Sequence, residues 1–457
     1  MRILLLSRLV KRFLQSRHTR FWRNIQQTGR WLTPGLGVKR WFGLLLAGVT
    51  LLGVGLAIFL LDLYRTAPEI EWYINLLATA SLRFLPRPVR VLIFGGLGIS
   101  LILWGIWGIN RSVLLPFLRP GSKVVDQLAE YRRRERGPRV VAIGGGHGLA
   151  TLLRGLKEHT HNLTAVVSVA DDGGSSGELR RSLGILPPGD IRNCLAALSK
   201  DEDLLTQLFQ YRFSGTPGLD GHSFGNLFIT ALSEITGSFE EAVAESGRVL
   251  SVYGRVLPAT LHDVQLVADV QIPHLTMEVR IAGESRIPEF AGRVRRVWLQ
   301  PDSPPAFPPV IQAILAADVL VIGPGSLYTS IVPNLLVPDL RAAVRASRAL
   351  KIFVCNIVTQ PGETQNYTCR DHIEALEEYI GKGVIDITIC NDVYTPDIPP
   401  ERWVRVDEEL LGNSRLYCAD LADKSHPWRH DPAKLAQVIM DLYYERTGPL
   451  SERALKV

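Results

Sequence analysis

The sequence predicts an α/β fold, with a doubly wound, mostly parallel sheet and an antiparallel insertion, preceded by an N-terminal transmembrane helical hairpin. Three observations predict it. Two long stretches near the start contain no charged residue. Beyond residue 138, short apolar runs alternate with helical stretches, which is typical of strands covered on both faces. Residues 264–301 show partial alternation of apolar and polar residues, which indicates antiparallel strands.

The distribution of charge separates the N-terminal part from the rest of the chain. The 457 residues carry a formal net charge of +6. Residues 1–139 hold 22 Lys and Arg against 6 Asp and Glu, whereas residues 140–457 hold 29 against 39. The larger part is therefore mildly acidic, and this disfavours a nucleic-acid-binding groove on it. We expect no nucleic-acid partner.

The two uncharged stretches predict the membrane hairpin. Residues 41–61 and 91–109 are each about long enough to cross a hydrocarbon core of ~30 Å. A signal peptide is the alternative for the first, and a re-entrant hairpin is the alternative for the second. Basic residues are abundant before and after the hairpin and sparse in its connection, so the positive-inside rule predicts cytoplasmic flanks at the plasma (inner) membrane.

The same features divide the chain into four parts. In order, these are a basic cytoplasmic N-terminal segment (1–40), the transmembrane hairpin (41–109), a basic linker (110–137) and a cytoplasmic domain (138–457). The domain boundary is indicated by the charged, turn-rich RRRERGP before the first apolar strand. The five cysteines show no CxxC spacing, so neither a zinc site nor a disulfide framework is indicated, and we expect reduced thiols.

The first predicted strand of the domain ends in the glycine-rich sequence IGGGHGLATLLRGL, at residues 143–156. A loop of this kind, followed by a helix, favours an anion such as phosphate. Its spacing is neither the dinucleotide fingerprint nor a P-loop, so we expect no nicotinamide or flavin. A glycine turn without ligand is the alternative, and His147 could meet a phosphate or cap the helix. The candidate ligand-binding residues are Gly144, Gly145, Gly146, His147 and Gly148.

The second predicted strand is followed by VADDGGSSGELRR, at residues 169–181. Asp171 and Asp172 are candidate ligands of Mg²⁺ or catalytic groups, because carboxylates carry Mg²⁺ that bridges to phosphate oxygens. Ser175 and Ser176 could donate hydrogen bonds to those oxygens. An acidic residue here could instead hold a ribose hydroxyl, or the stretch could be a capped, solvated turn.

Four further polar clusters follow predicted strands or begin helices. Because the carboxyl ends of parallel strands share one edge of a sheet, we expect the clusters to converge on one crevice. Their sequences are PPGDIRNCLAAL, GHSFGNL, IGPGSLYTS and CNIVTQPGET. The candidate ligand-binding residues in them are Asp190, Arg192, Asn193, His222, Ser223, Asn226, Gly323, Gly325, Ser326, Asn356 and Thr359.

Taken together, the motifs GGGHGLATLLRGLK, VADDGGSSGELR, PPGDIRNCLAAL, HSFGNL, GPGSLYTSIVPNLLV and CNIVTQPGETQNYT resemble the gluconeogenesis factor family, the YvcK proteins. This family lies within the wider CofD-like group that includes 2-phospho-L-lactate transferase. The resemblance covers roughly residues 138–445. His147 stands where the family usually has Thr, and the soluble members lack the hairpin.

The resemblance implies a nucleotide and acceptor site lined by Gly144 to Gly148 and by the two adjacent aspartates. It also implies binding of a UDP-sugar and a role in cell shape, envelope precursor supply and carbon metabolism. One hypothesis is therefore a membrane-anchored regulator that binds a nucleotide-sugar. The other is a Mg²⁺-dependent transferase, in which Asp171 or Asp172 holds the metal or takes a proton and Arg192 offsets phosphate charge. The sequence leaves self-association into a homo-oligomer open.

Overall fold

The computed structural model describes residues 84–114, 134–200, 204–215, 218–272, 277–290, 292–410 and 415–447, with isolated positions between 49 and 82. The chain divides into two compact units, Met1–Arg132 and Arg133–Val457. The division falls inside the predicted basic linker, five residues before the predicted start of the domain.

The first unit contains one long described helix, α1 (Arg87–Leu114), which includes the second predicted span, 91–109. The first predicted span, 41–61, lies largely outside the described residues. Counting the described positions alone, none of the helices is both long enough and apolar enough to cross a membrane. The transmembrane hairpin is therefore unsupported by the structure and stays a prediction.

The second unit is built on two sheets, and its strands are short and mostly buried. In chain order they are β1 (Val140–Gly144), β2 (Leu163–Val167), β3 (Arg255–Pro258), β4 (Gln265–Gln271), β5 (Glu278–Ala282), β6 (Arg293–Gln300), β7 (Val319–Ile322), β8 (Leu350–Val354), β9 (Ile387–Asn391) and β10 (Leu416–Ala419). The larger sheet has the order β10-β9-β8-β7-β1-β2-β3, and all its pairs are parallel. The predicted doubly wound parallel sheet is confirmed.

Eleven described α-helices belong to this unit, and they connect or cover the strands. They are α2 (Gly146–Leu156), α3 (Gly174–Leu183), α4 (Gly189–Leu198), α5 (Leu204–Gln210), α6 (Phe224–Thr236), α7 (Phe239–Val249), α8 (Pro308–Ala316), α9 (Val332–Leu335), α10 (Pro338–Ala346), α11 (Cys369–Ile380) and α12 (Pro432–Thr447).

The helix boundaries follow from local sequence. In α2, Leu149, Leu152, Leu153 and Leu156 are fully buried, which is the apolar stripe that helical spacing produces. Helix α6 begins where the Ser223 side chain accepts a hydrogen bond from the backbone N–H of Asn226. These two helices, together with α4, carry the polar residues described below.

The smaller sheet confirms the predicted antiparallel insertion. Its order is β5-β4-β6, with antiparallel pairing on both sides of β4. One face is apolar and packs into the core, with Leu266, Ala268 and Val270 buried. The other face carries an ion pair of 3.0 Å between Asp269 and Arg280. The connection from β5 to β6 reaches toward the carboxyl ends of the large sheet, as its contacts with Asp172 show.

The cysteines differ from expectation. The interpretation of five reduced thiols is wrong for two of them, because Cys369 and Cys390 form a disulfide. Cys194, Cys355 and Cys418 are free. The two bonded residues lie 21 positions apart, one at the start of α11 and one in β9, and only the packing of the helix on the sheet brings them together.

Candidate functional site

A crevice lies where the connections of the large sheet diverge. Strands β1 and β7 are neighbours, with Ile143 paired to Ile322 near their carboxyl ends. From β1 the chain proceeds to β2 and β3 on one side, and from β7 it proceeds to β8, β9 and β10 on the other. Such a switch in strand order opens a crevice beyond the carboxyl ends, which is the usual ligand site in open α/β sheets. Both glycine loops of the sequence lie here.

One pocket at this position has a volume of about 310 Å³. It contains seven of the residues predicted from sequence to bind ligand: Gly145, Gly146, His147, Gly148, Gly325, Ser326 and Asn356. The remaining lining residues were not predicted: Thr151, Pro324, Ser330, Ile357, Val358, Gln360, Trp428, Arg429 and His430. The predicted convergence of the first strand loop with the two later ones is therefore found in the structure.

The first glycine loop needs glycine for two different reasons. Gly146 has φ of +62°, a left-handed conformation that favours glycine. A Cβ on Gly148 would lie 2.5 Å from the carbonyl oxygen of Pro324, so the two loops can approach closely only without a side chain. Gly145, the residue before α2, has no side chain to cap the helix, and the Gly146 N–H donates to the Asp190 carboxylate. The backbone N–H groups that follow Gly146 in this first turn are the candidates to receive an anion.

The second glycine loop is held by the segment that follows β8. The Asn356 amide donates to the Gly325 carbonyl at 2.8 Å, and its oxygen accepts from the Gly325 N–H at 3.2 Å. Gln360 donates to the Ser326 hydroxyl at 2.7 Å. Asn334 in α9 donates to the Gly144 carbonyl at 3.0 Å and so ties the first loop to the same region. Hydrogen bonds thus connect both glycine loops to the segments around them.

The segment before α12 supplies the third wall of the pocket. Trp428 is about half exposed, and Arg429 places a positive charge near the first loop. Burial, followed by the charge of Arg429, lowers the pKa of His147. Burial lowers the pKa of His430 to about 4, so this ring is neutral at pH 7. His430 hydrogen-bonds to the backbone of Cys355, and its Nε2 atom has no partner among the described residues. One cation with neutral imidazoles suits a phosphate-containing ligand.

A group of carboxylates adjoins the first glycine loop. Burial, reinforced by the charge of Asp171, raises the pKa of Asp190 to about 6. Burial also raises the pKa of Asp171. Glu284, in the connection between β5 and β6, has its pKa raised to about 8 by burial and by the charges of Asp171 and Asp190. Such mutually perturbed carboxylates are typical of metal sites and of acid–base sites.

The two adjacent aspartates have different roles. Asp171 accepts from the Gly173 N–H at 2.9 Å and faces the acidic group. Asp172 accepts from the Ser285 N–H at 2.9 Å and so fixes the insertion against the large sheet. Carboxylate oxygens are the ligands that Mg²⁺ prefers, and one or two suffice when phosphate and water complete its shell. Asp171 and Asp172 each accept from one backbone N–H, so each has a second carboxylate oxygen that could bind Mg²⁺.

Six other predicted residues form a buried hydrogen-bonded network rather than part of the pocket lining. The Arg192 guanidinium donates to Ser223, to Asn226 at 3.2 Å and to Asn193 at 2.9 Å. Asn226 donates to the Ser175 hydroxyl at 3.0 Å, and Ser175 contacts the Nδ1 atom of His222 at 3.0 Å. This network joins α3, α4 and α6, and it holds the acidic turn in place.

The remaining predicted residues form or contact the backbone at strand ends and loops. Ser176 accepts from the Gly189 N–H at 3.1 Å and fixes the start of α4. Gly144 ends β1, Gly323 follows β7, and the Thr359 N–H donates to the Arg402 carbonyl at 2.7 Å. These residues do not line the described pocket.

Most of the second unit is similar to known proteins. A family model described as 2-phospho-L-lactate transferase CofD matches residues 140–445. The gluconeogenesis factor of Bacillus subtilis is 46% identical over 318 residues, which cover 67% of this chain and 99% of that protein. The chain belongs to the gluconeogenesis factor family.

Two further family members extend the comparison. A relative from Nostoc sp. is 45% identical over 447 residues, covering 94% of this chain and 95% of the relative, so it matches the N-terminal part as well. A crystal structure of a relative from Bacillus halodurans superposes with a TM-score of 0.63 at 41% identity, covering 67% of this chain and 99% of that one. The family thus includes members with and without the N-terminal unit.

Sequence reasoning missed Glu284, Gln360, Trp428, Arg429 and His430. Gln360 lies within the quoted motif after β8, so its strand-end position was a usable signal. The sequence SHPWRHDP around Arg429 combines aromatic, basic and imidazole groups before a helix. This combination was also a usable signal of a ligand-binding site. Glu284 lies in the insertion and gave no signal, because its approach to the aspartates depends on how two sheets pack.

Proposed function

We propose that this member of the gluconeogenesis factor family binds a nucleotide-sugar, a UDP-sugar, in the pocket between β1 and β7. The observation that carries the proposal is the pair of glycine loops facing each other at the switch point, with Arg429 beside them. The backbone N–H groups that follow Gly146 in the first turn of α2, together with this guanidinium, would hold the diphosphate. Trp428 offers an aromatic face for a ring of the ligand.

In this proposal the chain is a regulator rather than an enzyme. Binding of the nucleotide-sugar would report the supply of envelope precursors and so regulate cell shape and carbon metabolism. The two uncharged, base-flanked stretches would anchor the protein at the plasma membrane with residues 138–457 in the cytoplasm. Residues 1–139 carry all of the excess positive charge, and this supports the placement of the protein at the membrane.

A second candidate is a Mg²⁺-dependent transferase that moves a phosphate-linked group from a nucleotide-activated donor to a hydroxyl. The specific observation in its favour is the acidic group of Asp171, Asp190 and Glu284, whose raised pKa values fit proton or metal handling. The matching family model, described as 2-phospho-L-lactate transferase CofD, belongs to the same reaction class. Bound Mg²⁺ would supply charge neutralisation at the phosphates.

Calorimetric titration of the full chain in detergent tests the proposal. UDP-glucose, UDP-N-acetylglucosamine, UDP, GDP and ADP are titrated separately, with and without Mg²⁺. We expect a UDP-sugar to bind at least about tenfold more tightly than GDP or ADP, a difference of about 1.4 kcal/mol. Equal or absent binding of all five would contradict it. The same mixtures are then analysed for released UDP or UMP, and turnover would favour the transferase over the regulator.

A further inference from the structure

Four of the five cysteines converge on one corner of the large sheet. Cys390 lies in β9, and its register partner in β10 is Cys418. On the other side, Val354 of β8 pairs with Ile389, and the Cys355 N–H donates to the Ile389 carbonyl at 3.0 Å. Cys355 therefore lies beside Cys390 on the neighbouring strand. Adjacent strands are about 4.8 Å apart, so side chains of neighbouring residues share a face.

The fourth cysteine comes from the helix that covers this corner. Cys369 is the first residue of α11 and is bonded to Cys390. The sulfur atoms of Cys355, Cys369 and Cys390 all lie within 4.8 Å of one another, and all three residues are buried. Cys418 is half-buried at the edge of the sheet. The Cys369–Cys390 disulfide uses two of the three buried sulfurs. The third, the Cys355 thiol, is therefore left free directly beside the bond.

We propose that these residues form a thiol–disulfide exchange centre in which Cys390 changes partner. The Cys355 sulfur, after losing its proton, attacks the Cys390 sulfur. A Cys355–Cys390 bond forms, the Cys369–Cys390 bond breaks, and the Cys369 sulfur leaves with the electron pair and takes up a proton. The exchange consumes no oxidant or reductant. Full reduction to thiols requires an external dithiol, for which the half-buried Cys418 marks the exposed edge.

The placement of Cys369 gives the exchange its direction. Cys369 is the first residue of a 12-residue helix, where the helix dipole favours a thiolate. A stabilised thiolate is the better leaving group. Burial raises the pKa of the Cys355 thiol, which keeps it protonated while the cluster is closed. Attack therefore follows local opening, and proximity compensates for the low thiolate fraction.

The exchange centre adjoins the pocket through two contacts. Cys355 directly precedes Asn356, whose side chain holds Gly325 at 2.8 Å, and its backbone hydrogen-bonds to His430. Shifting Cys355 toward Cys390 would move both walls. If Cys390 changes partner, ligand affinity should change as well. This consequence rests on the proposed function, whereas the exchange itself does not.

The test of the exchange removes the present partner. Full-length Cys369→Ser is treated with oxidised glutathione, blocked with N-ethylmaleimide, digested without reductant and mapped by mass spectrometry. We expect a Cys355–Cys390 peptide as the main crosslink, and a Cys369–Cys390 peptide in the Cys194→Ala control. Alkylated or glutathionylated Cys355 and Cys390 without that crosslink would overturn the proposal. One equivalent of zinc in the wild-type protein that is lost in Cys355→Ser would also overturn it, in favour of a metal site.

A separate titration tests the link to the pocket. UDP-glucose affinity is measured for oxidised and dithiothreitol-reduced wild type and for Cys390→Ser under both conditions. We expect the UDP-glucose affinity of the wild type to differ by about fivefold or more between the oxidised and reduced states, which is the lower end of measured couplings. We expect no difference between the two states in Cys390→Ser. Equal affinities in oxidised and reduced wild type, with binding intact, would overturn the link while the mapping still decides the exchange. Absence of UDP-glucose binding in every sample would instead count against the proposed function.

Discussion

Asp190, in the first turn of α4, accepts a hydrogen bond from the backbone N–H of Gly146, the first residue of α2. This contact joins the first glycine loop to the group of carboxylates, two features that lie more than 40 residues apart in the sequence. It also places a carboxylate against Gly145. A Cβ there would lie 2.6 Å from an Asp190 carboxylate oxygen.

The first prediction follows from that close approach. Gly145→Ala should weaken UDP-sugar binding by about tenfold or more, because the new methyl group displaces Asp190 and the N–H that it holds. Gly144→Ala is the matched variant, since its Cβ would meet Leu149 at an ordinary 3.7 Å. Calorimetry and a melting curve on both proteins check it. Loss of binding in both variants, or in neither, would place the ligand elsewhere.

The adjacent aspartates should respond differently to mutation. Asp172→Ala leaves the Ser285 N–H without its acceptor and should lower the free energy of unfolding by about 1–3 kcal/mol. Asp171→Asn keeps an acceptor for Gly173, and should change stability less. Under the transferase alternative it should cost about 10²-fold or more in rate. Chemical denaturation and a product-release assay measure the two effects, and a larger stability loss in Asp171→Asn would refute the assignment.

His430 should make stability depend on pH. Its folded pKa of about 4 lies below the unfolded value of about 6.5, so the unfolded chain binds the extra proton between these limits. The free energy of unfolding should therefore fall as pH decreases from 6.5 to 4, by at most about 3 kcal/mol from this group. His430→Gln lacks the titration, and its unfolding energy should fall less over this range. Parallel pH series of denaturant unfolding make the comparison; identical slopes would exclude this role.

The second unit should fold without the first. Residues 133–457 form a compact unit with their own core and both sheets. We expect this fragment to show one cooperative melting transition and to bind UDP-sugar as the full chain does. We also expect it to be recovered without membranes, whereas the full chain sediments with them. A fragment that aggregates, or that remains in washed membranes, would show that residues 1–132 contribute more than an anchor.

Much of the fold was predictable because buried parallel strands have a simple sequence pattern. The continuous apolar runs of β1, β2, β7 and β8 indicated strands covered on both faces, and the glycines after β1 and β7 indicated the loops at their ends. The strand order was not predictable from that pattern, since the pairing of β1 with β7 joins segments nearly 180 residues apart.

The candidate site was predictable where it is formed by backbone and less so where it is formed by side chains. Glycine loops can be recognised from their composition, and both of them line the pocket. Arg192 was predicted to contact phosphate, yet its guanidinium is largely occupied by Ser223, Asn226 and Asn193. A motif gives residue types at a spacing, but not whether a charged side chain points to a ligand or to a buried partner. Glu284 and the cysteine cluster depend on long-range packing, which no local pattern encodes.

The central claim is that the nucleotide-sugar lies between the two glycine loops and the segment before α12. Hydrogen–deuterium exchange of the full chain, with and without saturating UDP-glucose, tests it most directly. We predict slower exchange in peptides covering 145–151, 324–330 and 426–430, three segments that are distant in sequence and adjacent only at this pocket. Protection confined to other regions, such as the groove between α8 and α10 at 306–346, would contradict the claim.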